Sequence, residues 1–171
     1  ENINNSKNLN GLIDSLNQIA ELYNYPIIVS AHPRTRNMIN DKDIKTHKNI
    51  LLLKPLGFLD YNFLQMNSYA VLSDSGTINE ESSILNFRAL NLRDAHERPE
   101  AMEEASVMMV GMNTDRIIQG LKELSRQEIK ENRNFREVSD YSMPNVSLKV
   151  IRIIISYVDY VNLNIYKRFN F

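Results

Sequence analysis

The chain has 171 residues, a length that suits one domain with a buried core. Its 20 Lys and Arg residues balance 21 Asp and Glu, and a formal charge of −1 argues against nucleic-acid or anionic-membrane partners. Because the chain has no Cys, disulfides, thiolate metal sites and a cysteine nucleophile are excluded, and we expect a cytoplasmic protein.

Helices and strands alternate along the chain. Apolar residues at three- and four-residue steps, from Leu9 to Leu22, predict an amphipathic helix over 7–23. Short apolar runs predict five strands, at 25–30, 50–53, 69–72, 89–92 and 107–110. Helices are predicted between them at 34–40, 59–67, 78–86, 98–104 and 114–125.

This alternation predicts an α/β fold with a Rossmann-like, doubly wound parallel sheet. The strands are apolar throughout, which is typical of strands covered on both faces. In such sheets ligands bind at the carboxyl ends of the strands. Functional residues are therefore expected just after Ser30, Leu53, Leu72, Leu92 and Val110.

The chain divides into two predicted parts, a nucleotide-binding domain at 1–143 and a carboxy-terminal helix at 144–171. The polar segment 126–143 is predicted to be a linker or irregular loop. The last helix carries Arg152 and Asp159 within its apolar stretch, so it is too charged to span a membrane. We expect it to pack on the domain or to cross back from it.

The stretch Asp74–Glu81 follows a predicted strand and opens a predicted helix. Free amides at a helix start form an anion site, to which Ser75 and Thr77 add hydroxyls. Gly76 would let a ligand approach the backbone, and Glu81 could accept hydrogen bonds from ribose hydroxyls. A nucleoside diphosphate fits this pattern, although an ordinary Ser cap with acidic first-turn residues is the alternative.

Two further strand ends carry candidate residues. The stretch 93–100 holds Arg93 and Arg98, which suit bidentate contact with phosphate, or else form a solvated loop of internal ion pairs. His32 ends the first strand and could move a proton, although a structural role is the alternative. Neither metal-ligand spacing nor a Gly-rich phosphate loop occurs, so we expect no metal and no cofactor.

Two motifs at matching separation, Ser73–Glu81 and Leu92–Ala101, strongly resemble those of the non-hydrolysing UDP-N-acetylglucosamine 2-epimerases. That family reads Asp-Ser-Gly-Gly-x-x-Glu-Glu and then Arg-(Asp/Glu)-x-x-Glu-Arg-Pro-Glu. The stretch Pro55–Tyr61, the His32-Pro33 pair and the opening Glu1-Asn2 also fit, and the similarity runs to about Leu124. The ending, from Asn145 onward, is similar to a subgroup that makes UDP-N-acetyl-L-fucosamine for capsule or O-antigen.

The resemblance implies a role for each matching residue. Ser75, Gly76 and Thr77 would hold the diphosphate of UDP, and Glu81 would hold the ribose. Thr77 stands where the family usually has a second Gly.

Arg98 would line the nucleotide or phosphate site. Tyr61 and Leu56 would lie near uracil. His32 and Arg93 are further candidates without an assigned role.

The resemblance also implies the carboxy-terminal half of a GT-B-type two-domain fold. The family eliminates UDP to give a glycal and adds it back with C2 inverted, without NAD or metal. The implied partners are a UDP-sugar and an amino-terminal domain that carries most of the acid/base residues, and we expect a homodimer at full length. A GT-B glycosyltransferase domain and a non-catalytic regulatory α/β module are the alternatives.

Overall fold

The computed structural model describes residues 6–31, 33–41, 44–95 and 97–167. The helices are α1 (Ser6–Tyr23), α2 (Pro33–Asp41), α3 (Phe58–Asn67), α4 (Ile78–Leu85), α5 (Pro99–Glu103), α6 (Thr114–Leu124) and α7 (Val146–Asn164). The strands are β1 (Ile27–Ser30), β2 (Ile50–Leu53), β3 (Val71–Ser73), β4 (Ala89–Asn91) and β5 (Met108–Met109). Every predicted helix and strand is present. For the elements from α1 to α6 the ends are shifted by a residue or two at most, and α7 lies within the helix predicted at 144–171.

Helix α1 joins the two hydrophobic clusters of the core. Its residues Leu9, Ile13 and Leu16 pack in one cluster with Ile50 of β2. One turn further along the same helix, Ile19 packs in the second cluster, which includes residues of β4 and α6. The apolar stripe predicted for 7–23 therefore faces the core, as period-3.6 spacing requires.

The predicted α/β fold with parallel strands is confirmed, but the strands form two sheets. In one sheet β1 pairs with β2, from Ile27 opposite Ile50 to Ser30 opposite Leu53. The other has the order β3-β4-β5, also parallel. Strands β1 and β3 belong to different sheets, and residues of both line a cavity of about 690 Å³.

The prediction that the strands are covered on both faces is wrong for β1 and β2. Ile28 is 42% exposed and Leu51 is 46% exposed. Successive side chains of a strand point to opposite faces, and Ile50 is packed against α1. One face of this short sheet is therefore buried while the apolar residues on the other contact solvent.

The segment 126–138 is irregular, as predicted, but it is held by specific contacts. Arg133 donates hydrogen bonds to the carbonyls of Ser83 and Ile84 at the end of α4, at 2.7 and 2.8 Å. The backbone N–H of Val138 donates to Ser83 Oγ at 3.0 Å, and the Val138 side chain is buried. Of the two predicted alternatives, an irregular loop describes this part of the segment.

The chain divides into two compact units between Val138 and Ser139. The second unit contains α7, in which no residue is buried. Apolar side chains such as Ile153, Ile154 and Ile155 are exposed. Of the helices in the described residues, none has the length and apolar character that crossing a membrane requires.

Candidate functional site

The loops that follow β3, β4 and β5 meet at one edge of the three-stranded sheet. The backbone N–H of Leu92, just after β4, donates to the carbonyl of Ser73 at the end of β3. Gly111, in the loop after β5, has φ +63°, and a Cβ there would lie 2.7 Å from Asp94 Oδ1. Only glycine combines this backbone conformation with such a close contact. The candidate residues after β3 and β4 are therefore held side by side.

The turn between β3 and α4 has the form expected of an anion site. Ser75 Oγ and Thr77 Oγ1 lie 3.0 Å apart, and Ser73 Oγ accepts from the Ser75 amide at 3.1 Å. Within the described part of the chain, the Gly76 amide donates no hydrogen bond. The N-cap of α4 is Thr77, whose side chain makes no capping bond, while Ser75 Oγ accepts a hydrogen bond from the Thr77 amide at 3.4 Å.

Arg98 of the second motif lies directly against this turn. A Cβ on Gly76 would be 2.9 Å from Arg98 Nη1, so the glycine is what admits the guanidinium. Arg98 Nε donates to Glu80 Oε1 in the first turn of α4, and Arg98 Nη1 lies 3.6 Å from Glu97 Oε2. Both motifs therefore contribute to one charged cluster at the start of α4.

Glu81 is fixed by a contact from α3. Gln65 Nε2 donates to Glu81 Oε2 at 2.6 Å, and Gln65 is buried. Burial and then the charges of Glu81 and Asp74 raise the pKa of Tyr61, while a hydrogen bond from Gln65 acts in the opposite direction. The Tyr61 hydroxyl therefore stays protonated at neutral pH, close to the Glu81 carboxylate.

The other predicted residues lie around these two clusters. Leu56 is half-buried in the connection between β2 and α3. Arg93 pairs with Glu97, with Nη2 and Oε1 2.8 Å apart. This pair matches the solvated-loop alternative for Arg93. His32, like Glu1 and Asn2, lies outside the described residues.

Two residues of the site were missed by sequence reasoning. From the sequence Glu80 is only a first-turn acid of α4, whereas in the structure it holds Arg98. Gln65 was not considered, although it follows Tyr61 by four residues and so shares its face of α3. The sequence feature that could have identified Gln65 is a polar residue on a helical face that is buried.

The fold and the site define a Rossmann-like α/β domain that gathers its polar residues at the carboxyl edge of a parallel sheet. The chain belongs to the UDP-N-acetylglucosamine 2-epimerase family, whose model matches residues 1–155. This membership confirms the resemblance in the two motifs at the level of the family.

Individual relatives agree with this assignment. The chain is 33% identical over 126 residues to a UDP-N-acetylglucosamine 2-epimerase of Methanocaldococcus jannaschii, covering 71% of this chain and 34% of that protein. A UDP-N-acetylglucosamine 2-epimerase structure from Rickettsia bellii superimposes with a TM-score of 0.86 at 41% identity, covering 95% of this chain and 44% of that one.

The Methanocaldococcus jannaschii UDP-GlcNAc 2-epimerase has been crystallised in complex with UDP-GlcNAc and UDP. It superimposes with a TM-score of 0.78 at 28% identity, covering 91% of this chain and 42% of that one. The chain therefore spans less than half the length of these relatives.

Proposed function

We propose that the chain is the UDP-binding half of a UDP-sugar 2-epimerase. The observation that carries this proposal is the packing of Arg98 against Gly76, which joins a cation to the amides of the turn before α4. A helix start and a fixed guanidinium together suit a pyrophosphate, which carries charge on several oxygens. The family membership and the UDP complex of a relative support the same ligand.

The proposed roles follow the geometry of the turn. The Gly76 amide and the hydroxyls of Ser75 and Thr77 donate to the diphosphate, and Arg98 balances its charge. Glu80 fixes the Arg98 side chain, which lowers the entropy lost when the anion binds. In this role Glu80 is a positioning residue.

The nucleoside would lie toward α3. Glu81 accepts hydrogen bonds from the ribose hydroxyls, while Tyr61 and Leu56 lie near uracil. The hydroxyl of Tyr61 is close enough to Glu81 for the carboxylate charge to raise the pKa of Tyr61, so both residues border the same region. His32 and Arg93 are candidates for further contacts at the same edge of the fold.

The proposed reaction requires the site to hold UDP twice, first as the leaving group and then as the nucleophile. The C1–O bond to UDP breaks as the proton leaves C2, which gives a glycal. UDP then re-forms the C1 bond while a proton is added to the opposite face of C2. Because the pyrophosphate is both leaving group and nucleophile, electrostatic stabilisation of its charge is the task of this half.

The finer proposals concern the full-length protein. The product would be UDP-N-acetylmannosamine or UDP-N-acetyl-L-fucosamine for capsule or O-antigen, made by a cytoplasmic homodimer. An amino-terminal domain would supply the acid/base residues. The exposed apolar residues of α7, such as Ile151 and Ile155, suit packing against that domain or against the domain of residues 1–143.

Titration of the 171-residue chain with UDP, followed by NMR, tests the ligand. We expect weak binding that Arg98→Ala and Glu81→Gln each reduce about tenfold or more, the value of one charge-assisted hydrogen bond. Arg126→Ala is the matched control, because the exposed Arg126 side chain pairs with Glu123 and not with a residue of the proposed site. No response to UDP would favour a regulatory module, and unchanged affinity in Arg98→Ala would contradict the role of Arg98.

Incubation of the full-length enzyme with a UDP-hexosamine and no acceptor tests the reaction. Inversion at C2 supports the epimerase. A protein that binds UDP but leaves the sugar unchanged would favour a GT-B glycosyltransferase.

A further inference from the structure

A buried carboxamide lies behind the proposed ribose acid. Gln65 is only 3% exposed, and its Nε2 donates to Glu81 Oε2 at 2.6 Å. The same amide lies close enough to the Tyr61 hydroxyl to lower its pKa by hydrogen bonding. Gln65 also lines the cavity of about 690 Å³ between the two sheets, as do Tyr61 and Asp74.

The other end of the carboxamide is unsatisfied. Within the described residues, Gln65 Oε1 is buried and has no hydrogen-bond partner. An unpartnered buried acceptor destabilises a fold, and such groups are rare in native proteins. An apolar side chain of similar length would avoid this penalty, so the structure keeps a glutamine where core packing alone does not favour one.

The orientation of the Gln65 amide explains why a glutamine occupies this buried position. A carboxylate accepts hydrogen bonds only, so it requires the NH2 end of the amide to face it. In that orientation Oε1 has no hydrogen-bond partner among the described residues, and Nε2 holds one oxygen of Glu81. Glu81 Oε1 is the oxygen that Gln65 does not hold.

We propose that Gln65 is a positioning residue for nucleoside recognition: it locks Glu81 so that the carboxylate discriminates ribose from 2′-deoxyribose. This inference rests on the proposed function, because it takes Glu81 to be the ribose acid. A carboxylate fixed before binding loses less side-chain entropy on contact with a hydroxyl. Without Gln65, Glu81 can turn away from the 2′-hydroxyl and the preference for ribose is lost.

The test compares UDP with 2′-deoxy-UDP on the 171-residue chain and on Gln65→Met. In the wild type we expect UDP to bind about tenfold more tightly or better, as a charged hydrogen bond to the 2′-hydroxyl predicts. In Gln65→Met the ratio should fall toward one, because the affinity for UDP should fall more than the affinity for 2′-deoxy-UDP. Gln18→Met is the matched control, because Gln18 is exposed on α1.

A thermodynamic cycle separates positioning from general damage. In a Glu81→Gln background, Gln65→Met should have no further effect on the ratio, since residues that act as a unit are not additive. A merely structural role for Gln65 would instead lower the thermal midpoint and both affinities together.

Gln65→Glu provides a second variant of nearly the same shape. At pH 8 its carboxylate repels Glu81, and the ratio should collapse. If Gln65→Met does not fold, the ratio in Gln65→Glu decides the question.

The outcomes are distinct. A wild-type chain that does not bind UDP overturns both the proposed function and this inference. Binding of UDP with no preference over 2′-deoxy-UDP leaves UDP recognition standing and overturns the role of Gln65. A preference that persists in Gln65→Met or in Gln65→Glu at pH 8 also overturns it.

Discussion

Gly76→Ala should displace Arg98 without disturbing the backbone that carries it. The added Cβ would lie 2.9 Å from Arg98 Nη1, 3.4 Å from Cζ and 3.7 Å from Nη2. A contact under 3 Å is too close to persist, and Gly76 is not among the residues with positive φ, so alanine fits the backbone itself. The guanidinium must therefore move, and it must weaken its pairing with Glu80 to do so.

The magnitude follows from the exposure of this pair. The side chains of Arg98 and Glu80 are 28% and 30% exposed, so the loss of unfolding free energy should stay near 1 kcal/mol. For a chain of this size, such a loss lowers the thermal midpoint by about 2–4 °C. The loss of the arginine contact to the diphosphate should reduce UDP affinity about tenfold or more.

Gly11→Ala is the matched control. Gly11 is on α1, and a Cβ there would have no atom of the described residues within 4 Å apart from its chain neighbours and the backbone of its own helix. Alanine in a helix is favoured over glycine by about 0.5–1 kcal/mol. Thermal unfolding should therefore show a stabilised Gly11→Ala that binds UDP normally. If Gly76→Ala binds UDP as tightly as the wild type, the placement of Arg98 at the diphosphate is wrong.

Two further substitutions test the stability of the same region. In Gly111→Ala an alanine would have to adopt φ +63° with its Cβ 2.7 Å from Asp94 Oδ1. Chemical denaturation should therefore show a loss of unfolding free energy of at least about 1–2 kcal/mol. An unchanged denaturation midpoint would show that this position is not strained by alanine. The folded-state pKa of Tyr61 is raised above its unfolded value, so its contribution to stability is full below about pH 10 and is lost as pH rises through the folded pKa. The unfolding free energy of Tyr61→Phe should therefore fall less steeply above pH 10 than that of the wild type. If the unfolding free energies of both proteins change in parallel with pH, the pKa of Tyr61 is not raised by folding.

The order of elements was predictable because it depends on local patterns. The three- and four-residue steps in α1 and the apolar runs of β1 to β5 are signals within a few residues, and each element occurs where predicted. The parallel arrangement followed from the helices between the strands. The two motifs were also local, which is why Gly76, Arg98 and Glu81 could be selected before their contacts were known.

The contacts between distant segments could not be read from the sequence. Gln65 and Glu81 are sixteen positions apart and meet only because α3 and α4 flank β3. The division into two sheets was also missed, because apolar runs predict strands but do not determine which neighbours pair. The polar segment 126–138 contains no periodic signal, and its place is fixed by Arg133 and Val138 at α4.

By itself the sequence determined the secondary structure, the parallel α/β class and the family, since these depend on residue types at short, fixed spacings. Only the tertiary structure decided that Glu80 holds Arg98 against Gly76 and that Gln65 holds Glu81. Such pairings depend on distances of a few ångströms between separate elements, and these distances are set by how the helices pack on the strands.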